Sequence, residues 1–142
     1  MADILICCRD GVKQSLIANL ALATFLKKER DKNVVLLFVQ EALLALAKKE
    51  FTYRGLLEEY TDVIDKTIND FGFPPDPLIL LKAAKEVGVT IVTCSVWAKV
   101  VQNSKNIVPC EIDVIEVDKL FDVVLDAKKF WENFKFVMKI NN

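Results

Sequence analysis

The chain has 142 residues, of which 53% are hydrophobic and 27% charged, and its formal net charge is −1. With a mean hydropathy of +0.29, this composition excludes intrinsic disorder and predicts a single domain over residues 1–142 with a well-filled core. The balanced charge argues against a nucleic-acid partner, which would need a basic face, and the apolar surplus favours self-association.

The first half of the chain alternates strands with helices. Residues 3–8 and 33–39 are continuous apolar runs and predict strands that are buried on both faces. Residues 11–30 and 41–50 predict helices that end in basic residues, which suits the negative end of a helix dipole. This order predicts a parallel sheet with crossover helices.

The second half continues the pattern after a segment of different character. Residues 54–71 predict an amphipathic helix whose apolar stripe serves a subunit contact or covers the sheet edge. The remaining predicted elements are helices over residues 77–87, 95–102 and 118–127, and strands over residues 89–94, 111–117 and 134–140.

No targeting segment is predicted. The opening residues, MADILICCRDGVK, lack a basic region followed by an apolar stretch and a cleavage site. No apolar run approaches the roughly 18 residues of a membrane span. We therefore expect a cytoplasmic protein without a membrane span, whose four cysteines are thiols.

Composition limits the chemistry that the chain can perform. Histidine is absent, which excludes Ser-His-Asp and Cys-His nucleophile arrangements and His-containing zinc sites. No Cys-x-x-Cys pair, P-loop or Gly-x-Gly-x-x-Gly motif occurs, so neither a metal nor a nucleotide cofactor is predicted. An activated cysteine or lysine remains as the nucleophile.

Ligands of open α/β sheets bind beyond the carboxyl ends of the strands, so the residues that follow each predicted strand are the candidates for a site. They are Cys8, Arg9 and Asp10 after the first, Gln40 and Glu41 after the second, Cys94, Ser95 and Trp97 after the third, and Asp118 and Lys119 after the fourth.

Cys94 is the sharpest candidate. It ends the third strand where the helix SVWAKVVQ begins, and the unpaired N–H groups and positive dipole there favour a thiolate. Ser95 or nearby backbone N–H groups are expected to hydrogen-bond the sulfur, and Trp97 is placed to wall a small pocket over it. The alternative is that Cys94 is a small hydrophobic residue that only packs.

The other cysteines receive different predictions. Cys7 and Cys8 point to opposite sides of their strand; Cys7 is assigned to the core, and Cys8 is a resolving thiol or a pocket wall. Cys110 starts the fourth strand, at the opposite edge from Cys94, and is assigned a structural role. The Arg9-Asp10-Gly11 turn either holds a small anion near the following helix or is a solvated turn.

The segments LICCRDG, SLIANLALATFLKK, NVVLLFVQEALLALAKK and LKAAKEVGVTIVTCSVWAKVV together resemble the DsrE/DsrF-like family, which includes sulfur-relay subunits and peroxiredoxin-like proteins. The resemblance covers about residues 3–126 and is most specific between Leu81 and Val101. It implies a three-layer α/β/α fold around a mainly parallel five-stranded sheet, and a homo-oligomer, either a trimer or a hexamer. It also implies that Cys94 takes up persulfide sulfur and passes it to a partner protein.

Three hypotheses follow. The first is a sulfur carrier or sulfurtransferase-like protein that uses Cys94, with Cys8, Arg9, Asp10 and Gln40 as pocket candidates. The second is a non-catalytic oligomeric protein of the same fold that binds a small ligand, in which Cys94 only packs. The third is a thiol peroxidase, which is weaker because Cys8 and Cys94 do not form a recognised peroxidatic and resolving pair.

Overall fold

This computed structural model describes residues 2–132 and the backbone of residues 135–139. A single 3-10 helix (Gly55–Tyr60) separates the second and third α-helices. The other elements, in chain order, are β1 (Ile4–Cys8), α1 (Lys13–Arg30), β2 (Val34–Phe38), α2 (Gln40–Lys48), α3 (Thr61–Asp70), α4 (Pro77–Glu86), β3 (Thr90–Cys94), α5 (Ser95–Asn103), β4 (Asp113–Ile115), α6 (Val117–Asp126), β5 (Lys129–Glu132) and β6 (Lys135–Lys139).

The strands form one sheet in the order β4-β3-β2-β1-β5-β6. The first five strands pair in parallel, and β6 runs antiparallel to β5 at the edge. The predicted α/β fold with a mainly parallel five-stranded sheet is therefore confirmed, with one additional antiparallel strand.

The fifth parallel strand differs from the prediction. It is β5, a four-residue segment that the sequence pattern did not indicate, because KFWE is too short to display a period. The alternation over residues 134–140 belongs instead to β6, which returns from β5. Phe134 and Ile140, the predicted ends of that strand, lie outside the described residues.

Helices cover both sides of the sheet. On the first face, Ile6, Leu36 and Ile91 pack beneath α1, α2 and α4 in the larger core cluster. The second face carries the smaller cluster, in which Leu5 and Val92 pack against α6. The alternation arises because successive side chains of a strand point to opposite faces. The result is the expected three-layer arrangement.

The predicted amphipathic helix over residues 54–71 is divided into the 3-10 helix and α3. No residue of either element is buried, although Ile64 and Ile68 pack partly against the first-face cluster. The segment is held at Asp65, which accepts hydrogen bonds from the Lys13 ammonium at 3.0 Å and the Tyr53 hydroxyl at 2.6 Å. Leu56, Val63 and Phe71 of its apolar stripe remain exposed in the single chain.

The fourth strand and the start of the helix after it differ slightly from the prediction. The fourth strand spans Asp113–Ile115 instead of residues 111–117, because Ile112 N–H closes a turn on the Pro109 carbonyl and α6 already begins at Val117.

Among the described residues, no helix combines the length and the apolar character needed to cross a bilayer.

Candidate functional site

Cys94 lies at the junction between β3 and α5. It is the last residue of the strand and the N-cap of the helix, with an extended backbone (φ −90°, ψ 157°). The first backbone N–H groups of α5 have no partner within the helix, and the positive end of the helix dipole lies beside them. In this conformer the Cys94 side chain accepts no capping hydrogen bond from that turn. The first turn of α5 therefore offers backbone N–H donors to which the Cys94 sulfur is not hydrogen-bonded.

Cys94 is nearly covered in the single chain. Only 6% of the residue is exposed, and it belongs to the second-face cluster together with Leu37 of the neighbouring strand β2 and Val39, which follows that strand. Trp97, one turn along α5, packs partly against this cluster and against the first-face cluster as well. Trp97 and Cys94 therefore belong to the same cluster, and the pocket wall at Trp97 stays a prediction.

Ser95 has a different partner from the one expected. Its hydroxyl donates to the Glu116 carboxylate at 3.3 Å, which links the start of α5 to the N-cap of α6. The hydroxyl is therefore directed towards Glu116 in this structure. Sequence reasoning missed Glu116 because the predicted strand ran on to residue 117 and pointed to Asp118 and Lys119.

The two adjacent cysteines of β1 point to opposite faces. Cys8 is completely buried in the first-face cluster, and this burial raises the pKa of its thiol well above the usual value. Cys7 shares the second face with Cys94, and burial followed by the Glu132 charge raises the pKa of Cys7 to about 11. The structure therefore brings Cys7, and not Cys8, to the face that carries Cys94.

Neither β1 cysteine is placed to form a disulfide with Cys94. Cys7 aligns with Leu37, and Leu37 aligns with Val92, so Cys94 lies two strands across and two residues further along. Strand spacing and rise place the two Cα atoms roughly 12 Å apart. A disulfide needs at most about 7 Å. The fold thus offers Cys94 no resolving partner on β1, which weighs against the thiol peroxidase hypothesis.

An ion pair lies at β1, where the strand order of the sheet changes direction: β2, β3 and β4 lie on one side of β1, and β5 lies on the other. β1 pairs with β2 on one side and with β5 on the other, and the carboxyl ends of β1 and β5 flank the place where α/β folds bind ligands. The Arg9 guanidinium and the Glu132 carboxylate form this ion pair. Arg9 was among the site residues predicted from the sequence, whereas Glu132 was not, because β5 was not predicted.

Asp10 organises the turn after β1. Its carboxylate accepts hydrogen bonds from Val12 N–H at 2.9 Å and from the Ser15 hydroxyl at 3.3 Å. Both acceptor oxygens therefore serve the start of α1, as in a side-chain-stabilised turn. The next residue, Gly11, allows the close approach of α2, since a Cβ there would lie 2.5 Å from the Glu41 carbonyl oxygen.

Gln40 begins α2 with a left-handed backbone (φ 55°), a conformation that costs a non-glycine residue about 1 kcal/mol or more. Its side chain is exposed at the carboxyl end of β2, between the ends of β1 and β3. Gln40 therefore shares the sheet edge with Arg9 and Cys94.

Among the described residues, no group of Cys, Asp and Glu side chains is arranged to hold a metal ion.

No protein-family profile matches the chain, and no curated protein matches it. Among solved structures, the chain is similar to the crystal structure of the ychN protein from E. coli, with a TM-score of 0.63 and 16% sequence identity. The alignment covers 93% of this chain and 99% of the ychN chain. At this identity the similarity establishes a shared fold, and the chain has the three-layer fold of the ychN protein over nearly its whole length.

Proposed function

We propose that the protein is a sulfur carrier of the DsrE/DsrF-like type and that Cys94 holds the transferred sulfur as a persulfide. The observation that carries the proposal is the position of Cys94 at the N-cap of α5, at the carboxyl edge of a parallel sheet. Unpaired N–H groups at that position can stabilise the negative charge of a thiolate or a persulfide anion. The fold shared with the ychN protein is consistent with the three-layer α/β/α fold that the DsrE/DsrF-like resemblance implies.

The transfer step moves one sulfur atom without net oxidation. The Cys94 thiolate attacks the outer sulfur of a donor persulfide, and the donor S–S bond breaks as the new S–S bond at Cys94 forms. The donor thiolate leaves with the bonding electron pair and takes up a proton. An acceptor thiolate on a partner protein then attacks the outer sulfur, and Cys94 returns to its thiolate form. Both steps require the outer sulfur to reach solvent, so the second face must open slightly at Cys94.

The burial of Cys94 favours a second candidate function. A thiol that is 6% exposed and packed among Leu37 and Val39 also suits a protein that binds a small ligand without covalent chemistry. This hypothesis predicts that sulfane-sulfur donors leave Cys94 unmodified in the folded chain.

Sulfur loading distinguishes the two functions. The protein is incubated with inorganic polysulfide, and intact-protein mass spectrometry with peptide mapping locates any added sulfur. We expect a one-sulfur adduct on Cys94 that persists in Cys110→Ser and disappears in Cys94→Ser. The Cys110→Ser variant is the matched control, because Cys110 is the exposed thiol and the natural site of unspecific loading. Loading confined to Cys110 would overturn the sulfur-carrier proposal.

A further inference from the structure

A cavity of about 630 Å³ lies away from the carboxyl edge of the sheet. It is bounded by the end of α2, the first turns of α4 and the loop that follows α5. Part of its wall is apolar, with Leu78 on α4 and Val108 and Pro109 on the loop. Such a volume is sufficient for a small organic ligand, which an apolar wall with a few charged groups can bind and orient.

The charged groups of this cavity are mainly basic. Lys49, Lys82 and Lys105 line it together with one acid, Glu111, so the side chains sum to a charge of +2. Within the described part of the chain, none of these three lysines forms an ion pair. The carboxyl ends of α2 and α5 offset part of this charge and the amino end of α4 adds to it, so the net charge at the cavity stays positive. The cavity therefore favours an anion.

The thiol of Cys110 also lines the cavity. Cys110 is the exposed cysteine of the four, whereas Cys7, Cys8 and Cys94 are buried. It lies in a turn before β4 and shares the cavity with the three lysines. Cys110 was predicted to have a structural role at the start of a strand, but the structure places it outside the strand and exposes it.

We propose that this cavity binds small disulfides that carry carboxylates and that Cys110 forms a mixed disulfide with them. The Cys110 thiolate attacks one sulfur of the bound disulfide, and the S–S bond of the ligand breaks as the bond to Cys110 forms. The other half of the ligand leaves as a thiolate with the electron pair, so the oxidation of Cys110 is balanced by the reduction of the ligand. The lysines hold the carboxylates while the apolar wall contacts the carbon skeleton.

The test compares three disulfides on the full chain: dianionic dithiobis(nitrobenzoate), neutral dithiodipyridine and cationic cystamine. Each rate is divided by the rate of the same reagent with a small neutral thiol. At low ionic strength we expect the dianion to be favoured over the neutral reagent by about fivefold, and the preference to fall as salt is added. Peptide mapping is expected to place the product on Cys110, and Cys110→Ser is expected to remove it.

Matched triple variants separate the cavity from the net charge of the chain. Lys49→Gln/Lys82→Gln/Lys105→Gln is expected to lose most of the preference for the dianion. Lys28→Gln/Lys32→Gln/Lys119→Gln removes the same charge elsewhere and is expected to keep the preference. Equal reactivity towards the three reagents, an equal loss in both variants, or a product on another cysteine would overturn the proposal. None of these outcomes depends on sulfur loading of Cys94.

Discussion

The two faces of the sheet are built from alternating residues of the same strands, but they are covered to different extents. Helices α1, α2 and α4 close the first face over Ile6, Leu36 and their neighbours. The second face has a smaller cluster, for which α6 supplies the buried helical residue Leu120. The adjacent residues Cys7 and Cys8 fall on different faces. The first face therefore buries more apolar side chains, whereas the thinner second face holds Cys94.

The largest effect should come from opening a cavity in the first face. Phe38 is completely buried there, and we expect Phe38→Ala to lower the free energy of unfolding by about 3–5 kcal/mol. Phe121 on α6 is 59% exposed, so Phe121→Ala is the matched control and should change stability by less than about 0.5 kcal/mol. Urea unfolding measures both values. Similar losses of unfolding free energy in the two variants would contradict the burial of Phe38 in the first face and the exposure of Phe121 on α6.

The same cysteine-to-serine change should act differently on the two faces. Cys8→Ser places a hydroxyl in an apolar, fully buried site and is expected to cost about 1–3 kcal/mol. Cys94→Ser places it at the N-cap of α5, where serine is a preferred residue because it accepts an N–H bond from the first turn. Cys94→Ser should therefore stay within about 0.5 kcal/mol of the parent chain.

Urea unfolding again measures the two serine variants, and Cys8→Ala controls for the loss of sulfur. An equal cost at both positions would mean that the N–H groups of α5 are out of reach of the side chain at position 94. That result would also remove the physical basis for a stabilised sulfur anion at this junction.

Much of the fold follows from sequence pattern because long apolar runs and helical spacing decide which elements form. The junction at Cys94 was predictable, since the buried run VTIVTC passes directly into a helical pattern. The alternation of a strand also required Cys7 and Cys8 to point apart. The alternation did not reveal whether Cys7 or Cys8 shares a face with Cys94, because the shared face depends on how β1 aligns with β2 and β3.

Other features depend on contacts between segments that are distant along the chain. Glu132 became part of the site only because β5 pairs with β1 and brings it to Arg9. The near-complete burial of Cys94 depends on packing in the second-face cluster, which no local pattern encodes. Cys110 entered a lysine-lined cavity because the loop after α5 meets the ends of α2 and α4.

The smallest predicted effect concerns a surface contact that belongs to neither face. Asp3 precedes β1, and the backbone N–H of Asn33, followed by the Lys128 ammonium, lowers the pKa of its carboxyl. Because the folded-state pKa is lowered, this contribution is fully present above the unfolded pKa of about 3.9 and is lost as the pH falls through the folded pKa.

At neutral pH we expect Asp3→Asn to cost less than about 1 kcal/mol, since the Lys128 side chain of this ion pair is 55% exposed and that of Asp3 is 27% exposed, so solvent screens the pair. The difference from the parent chain should shrink as the pH is lowered below about 4. Asp62→Asn is the control, because this exposed carboxylate forms no ion pair with a described residue. Urea midpoints measured between neutral pH and pH 3 test the sign: a difference that grows in acid would show that the contacts of Asp3 favour its protonated form.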